Sequence, residues 1–96
     1  MDKFLKYRKR PLVIEALQYD GTRASATVIR GKLLGTKTPA HYFDDVLEGA
    51  DGMALRIETL EGNLRVMPTD WVIVGVEGEA YPCKDSVFQA TYEAVS

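Results

Sequence analysis

The arrangement of apolar and polar positions divides the chain into short elements. Leu12 to Tyr19 is dense in apolar and β-branched residues and reads as a strand, and Asp20-Gly21 closes it with turn chemistry. Thr22 or Ser25 is placed to cap a helix whose Val28, Ile29 and Leu33 recur at helical spacing. Gly31 weakens that helix and Gly35 stops it. From Met53 the period changes to two. Leu55, Ile57 and Thr59 alternate with Arg56 and Glu58, which predicts a strand with one apolar and one polar face.

The rest of the C-terminal half reads as a meander. Glu61-Gly62 is a candidate two-residue hairpin loop that would set Ile57 opposite Val66 and Glu58 opposite Arg65. Pro68-Thr69-Asp70 turns the chain again, and Trp71 to Val76 is the most apolar strand. A second two-residue loop at Glu77-Gly78 would place Val74 opposite Tyr81 and Val72 opposite Cys83. Asp85 is placed to cap a last short helix, with Val87 and Thr91, then Phe88 and Tyr92, one turn apart. The sum is an α+β fold: a small, curled, mainly antiparallel sheet with one early helix and one short late helix.

At 96 residues the chain is of single-domain size. Two stretches stand out, a basic N-terminal segment at 1–10 and an acidic and aromatic insertion at 38–52 that fits no element cleanly. A domain this small buries only roughly 60–65% of its unfolded surface. Association then hides remaining apolar area and sheet edges, so a homo-oligomer, most simply a dimer, is expected.

Charge sharpens the functional question. The net charge is −2, which argues against general nucleic-acid binding. The distribution is uneven: Lys3, Lys6, Arg8, Lys9 and Arg10, less Asp2, make the first ten residues +4 and leave −6 for the remainder. No apolar run approaches the roughly 18 residues of a membrane span, and no apolar signal-peptide core follows Met1-Asp2-Lys3-Phe4. Cys83 is the one cysteine and has no internal disulfide partner, which fits a reducing compartment.

Four segments together resemble a known family: Tyr7-Arg8-Lys9 before Pro11, Glu15-Ala16 with Gln18, Thr59-Leu60-Glu61-Gly62, and Tyr81-Pro82-Cys83-Lys84. They are similar to the PGDYG-type short phage and prophage proteins, over Tyr7 to Gly21 and Thr59 to Val95. The chain departs from that pattern at the signature turn, where Thr69 stands in place of Gly. The resemblance implies a bacteriophage or prophage gene acting in the cytoplasm of the bacterial host. It names no reaction and transfers no catalytic residue.

The residues offer little for catalysis. Asp44, Asp45, Glu48 and Asp51 lack calcium-loop spacing, and one His and one Cys make no zinc motif, so no metal and no cofactor is expected. A nucleophile pair would need Cys83 and His41, but the hairpin register puts Cys83 on an apolar face, where it reads as a small core hydrophobe. Gly75-Val76-Glu77-Gly78 falls in a hairpin between acids, so it reads as a turn and not as a phosphate loop.

The leading expectation is therefore a non-catalytic phage accessory protein that sequesters a small anionic ligand, a nucleotide-derived immune signal among the candidates, at a homo-oligomer seam. Lys6, Arg8 and Arg10 would hold phosphate, and Tyr7, Trp71 and Tyr81 would offer rings to a base. The plain reading of Trp71 and Tyr81 is core, reversed by exposure at such a seam. The alternative is a protein-interaction module that inhibits a host protein or serves in the virion, with His41, Tyr42, Phe43, Asp44 and Asp45 as its contact surface.

Overall fold

The computed structural model describes residues 3–8, 10–42 and 55–95. Its elements run β1 (Glu15–Gln18), α1 (Arg23–Leu33), β2 (Ala40–Tyr42), β3 (Leu55–Thr59), β4 (Gly62–Val66), β5 (Trp71–Val74), β6 (Ala80–Cys83) and α2 (Asp85–Thr91). The fold is α+β. The strands form two antiparallel three-stranded sheets, a first of order β1-β5-β6 and a second of order β2-β3-β4. The C-terminal hairpins β3–β4 and β5–β6 thus belong to different sheets.

Helix α1 begins where the sequence places its cap. The Thr22 hydroxyl accepts from the Ser25 amide at 3.2 Å, satisfying one orphan N–H of the first turn. Asp20 reinforces this start. Its Oδ1 accepts from the Ser25 hydroxyl at 2.6 Å, the Thr22 hydroxyl at 2.5 Å and the Thr22 amide at 2.9 Å. These donors, the Ser25 hydroxyl foremost, hold the Asp20 carboxyl down at about 2. The inward face of α1 is Ala26, Ile29 and Leu33, while Val28 lies off that face and is exposed. Gly35 ends the helix with φ +77°, a left-handed conformation that glycine adopts without steric penalty.

The core forms between α1 and the two sheets. Ala26, Ile29 and Leu33 meet Leu55, Ile57 and Val66 of the second sheet and Val72 and Ala80 of the first, with Tyr19 fully buried among them. A buried polar contact ties the sheets together: the Ala80 amide donates to the Thr38 hydroxyl at 2.8 Å. Strand β1 is shorter than the expected Leu12–Tyr19. Leu12 to Ile14 carry no strand pairing, and Leu12 and Val13 are exposed.

Both hairpin registers differ from the expected ones, for reasons visible in the turns. In β3–β4 the loop is Leu60-Glu61, and the pairs are Ile57 with Leu64 and Leu55 with Val66. Gly62 follows the loop with φ +110°, and the Thr59 hydroxyl donates to the Gly62 carbonyl at 2.7 Å. This shift of two residues keeps every side chain on its expected face. It does separate Glu58 from Arg65: Glu58 stands opposite Asn63 and reaches His41 instead, at 3.1 Å.

In β5–β6 the shift is a single residue. Val76-Glu77-Gly78 forms a three-residue loop, closed by the Gly75 amide on the Glu79 carbonyl at 2.8 Å, with Gly78 at φ +82°. Cys83 therefore pairs with Trp71, not Val72, and Tyr81 with Ile73, not Val74. A one-residue change moves side chains to the opposite face. Cys83 is half-buried outside the central core, and Ala80 takes the buried position beside Val74.

The Pro68-Thr69-Asp70 turn is locked by hydrogen bonds and an ion pair. The buried Asp70 accepts the Met67 amide at 2.9 Å and lies 3.4 Å from the Lys84 ammonium. The Thr69 amide donates to the Tyr19 carbonyl at 2.7 Å, and Asp70 returns its carbonyl to the Tyr19 amide at 2.8 Å. Thr69 itself sits at φ +80°, a left-handed conformation that a β-branched residue rarely adopts.

Candidate functional site

Strand β5 is covered on both faces, with Val72 turned into the core and Ile73 buried on the other side. Helix α2 lies against that second side through Trp71. Asp85 is not the cap of α2: Lys84 takes the cap position, and Asp85 is the first helical residue. Its carboxylate is aimed at the sheet. Oδ1 accepts from the Trp71 indole N–H at 2.8 Å, from Gln89 at 3.3 Å and from Gln18 at 3.4 Å. The bond from Trp71, then that from Gln89, holds the Asp85 carboxyl below the ordinary carboxylate range.

One turn along α2, Phe88 lies flat on the Trp71 ring, with centroids 3.8 Å apart and planes inclined by 7°. Tyr92 continues the stack at 5.1 Å from Phe88. The Tyr92 hydroxyl lies 3.5 Å from that of Tyr81 on the adjacent strand. That contact first, then burial, pushes the Tyr81 phenol up to about 12, so the Tyr81 hydroxyl stays protonated at neutral pH.

The stack forms one wall of a cleft. A groove of about 640 Å³ runs between Pro11–Ile14, on the near side, and Trp71, Phe88, Tyr92 and the chain end to Val95 on the far side. That volume lies within the usual range for small-molecule sites, about 300–1,000 Å³. Its walls are mainly apolar, and Glu93 is the acidic residue among them. Arg10, exposed, precedes Pro11 in the chain. Another cleft, about 190 Å³, lies between α1 and the β1–β5 pair, with the Lys32–Glu15 ion pair of 2.9 Å among its lining residues.

Of the residues singled out from the sequence, Trp71 lines the groove, with one ring face taken by Phe88 and its indole N–H by Asp85. Tyr81 is half-exposed beside Tyr92 but does not line the groove. Lys6, Tyr7, Arg8 and Arg10 are exposed and outside helix and strand. Arg10 comes next to the groove through chain connectivity, and Lys6, Tyr7 and Arg8 precede it. His41 is on β2 and bound to Glu58; Tyr42 ends that strand; Phe43, Asp44 and Asp45 lie outside the described residues, as does most of 38–52. No hydrogen bond links His41 to Cys83, which sits in the other sheet. Among the described residues there is no group of three His, Cys, Asp or Glu able to hold a metal ion, and no helix long and apolar enough to cross a membrane.

Phe88 and Tyr92 are site residues that sequence reasoning missed. Their i, i+4 spacing announced a stacked pair on one helix face, but not the surface beneath it. The available signal was Asp85 and Trp71, an acid at the helix start and the chain's one indole donor. Compared with protein-family models, with curated proteins and with solved structures, the chain matches none. The geometry therefore stands by itself: a small α+β domain with an aromatic-walled groove beside a cationic segment.

Proposed function

We propose that this is a non-catalytic phage accessory protein that sequesters a compact anionic molecule carrying a flat ring, of the nucleotide-derived immune-signal kind, at a seam between copies. One observation carries the reading: the groove of about 640 Å³, walled by Trp71, Phe88 and Tyr92, opens directly after the cationic segment that ends in Arg10. Glu93 on the far wall repels phosphate, so the anionic end of the ligand belongs at the Arg8–Arg10 side and its ring against Tyr92, the outer ring of the stack. Guanidinium suits this task, since its fork of donors matches phosphate oxygens.

Calorimetric titration with nucleoside monophosphates and cyclic dinucleotides tests it, with inorganic phosphate as the control. Arg8→Ala/Arg10→Ala is expected to weaken binding at least about tenfold, the effect of losing one charge-assisted hydrogen bond, while the chain still melts cooperatively. Equal affinity in the double variant overturns the assignment.

A second reading is favoured by a separate observation, the exposure of Phe4, Leu5 and Tyr7 on the N-terminal segment. In it the protein is an interaction module that binds a host protein or serves in the virion. Phe4→Ser/Leu5→Ser would then abolish partner capture and leave nucleotide binding intact.

A further inference from the structure

We infer that the outer edge of β1 pairs antiparallel with β1 of a second copy, joining two first sheets into one six-stranded sheet. The inference rests on the proposed function in one respect, since it names the seam at which that reading places its ligand.

Tyr19 hydrogen-bonds through both its amide and its carbonyl to the Thr69–Asp70 turn that precedes β5. By the alternation of an antiparallel ladder, Leu17 and Glu15 also face β5, and the amides and carbonyls of Ile14, Ala16 and Gln18 face outward. Among the described residues these outward groups have no hydrogen-bond partner. The opposite edge of the sheet is different: the Ala80 amide of β6 is taken by the Thr38 hydroxyl.

Strand β1 also lacks the usual devices that keep an edge from pairing. It has no proline, no lysine and no bulge within its span, and its one charge, Glu15, is drawn aside by Lys32 at 2.9 Å. Ala16 and Leu17 are exposed, and exposed Leu12 and Val13 continue the apolar run upstream. The outer strand of the second sheet, β4, by contrast carries Asn63 and Arg65.

Charge selects the occupant. In an antiparallel pair, the residues before β1 in one copy run beside those after β1 in the other. Chain direction thus carries Arg8 and Arg10 toward Gln18 and Asp20 of the second copy. Asp20 is exposed, and its carboxyl, held at about 2, is a fixed anion at neutral pH. The two-fold relation makes this contact twice, and on the scale of the whole chain a +4 segment meets a −6 body.

Size measurement, melting and residue-resolved amide exchange on the full chain test the pairing. A mass of two chains with slow exchange at Ala16 and Gln18 is the expected result. Ala16→Pro removes an outward donor, which an edge strand tolerates, so it should yield single chains that still melt cooperatively. If that variant loses its fold, Arg8→Glu/Arg10→Glu decides, its changes being confined to exposed side chains. It is expected to raise the dimer dissociation constant at least about tenfold at low salt. A wild-type mass of one chain well above micromolar concentration, fast exchange at both amides, or a folded variant of either kind with undiminished dimerisation would overturn the inference. Two chains with a protected edge and no nucleotide binding would overturn the ligand reading alone.

Discussion

Thr69 holds a left-handed backbone, φ +80°, within the locked Pro68-Thr69-Asp70 turn, and no hydrogen bond from its hydroxyl rewards that conformation. A β-branched residue there carries a strain of about 1–2 kcal/mol, which glycine relieves at a smaller entropic cost. Thr69→Gly is accordingly expected to stabilise the domain by about 1 kcal/mol, raising the melting temperature by roughly 4–8 °C. A lowered melting temperature would show that the turn is not strained. Asp20 makes a second prediction at this scale. Its carboxyl is ordinary when the chain is unfolded, near 3.8, and lies at about 2 when folded. A depressed folded value means that its contribution is present above pH 3.8 and is lost as pH falls toward 2. Asp20→Asn should therefore flatten the acid limb of stability between pH 4 and 2, measured by denaturant titration across that range. An unchanged limb would remove Asp20 from the account of how α1 starts.

Helix α2 has seven residues, no cap from a side chain and no fully buried residue. A helix that short does not persist alone in water, so its docking holds it: the Asp85–Trp71 bond and the Phe88 ring on the indole. Phe88→Ala is expected to cost about 2 kcal/mol, below the usual buried-phenylalanine value because the ring is half-exposed, and to red-shift the Trp71 fluorescence. Unchanged emission and stability would mean that α2 is held elsewhere. At this scale the sequence was legible where the period was regular. Ile29 and Leu33 marked the α1 face, Gly35 its end, and the Leu55–Ile57 alternation the buried side of β3. The registers were harder, because a positive-φ glycine serves equally well inside a two-residue loop or just after a longer one. Gly62 and Gly78 both take a late position in their turns, which moved one hairpin by two residues and the other by one. Cys83 and Tyr81 changed faces for that reason alone. The groove was legible only in part: Trp71 and Arg10 stand out by residue type, whereas Phe88 and Tyr92 acquire meaning only when α2 folds back on the sheet.

On the scale of the whole molecule, apolar surface and charge are divided in the same way. The core is enclosed by α1 and the two sheets, while Phe4, Leu5, Tyr7, Leu12 and Val13 remain exposed along the cationic N-terminal stretch. That stretch leads into the open groove and the open edge of β1, so ligand capture and pairing of copies draw on one region. This shared dependence makes native mass spectrometry of the protein, purified gently from bacteria supplied with the nucleotide panel, the most direct test. It reads subunit number and retained small molecules in one spectrum. A two-chain particle carrying excess mass in the nucleotide range is the expected result, with that excess lost in Arg8→Ala/Arg10→Ala. Single bare chains under the same conditions would contradict it.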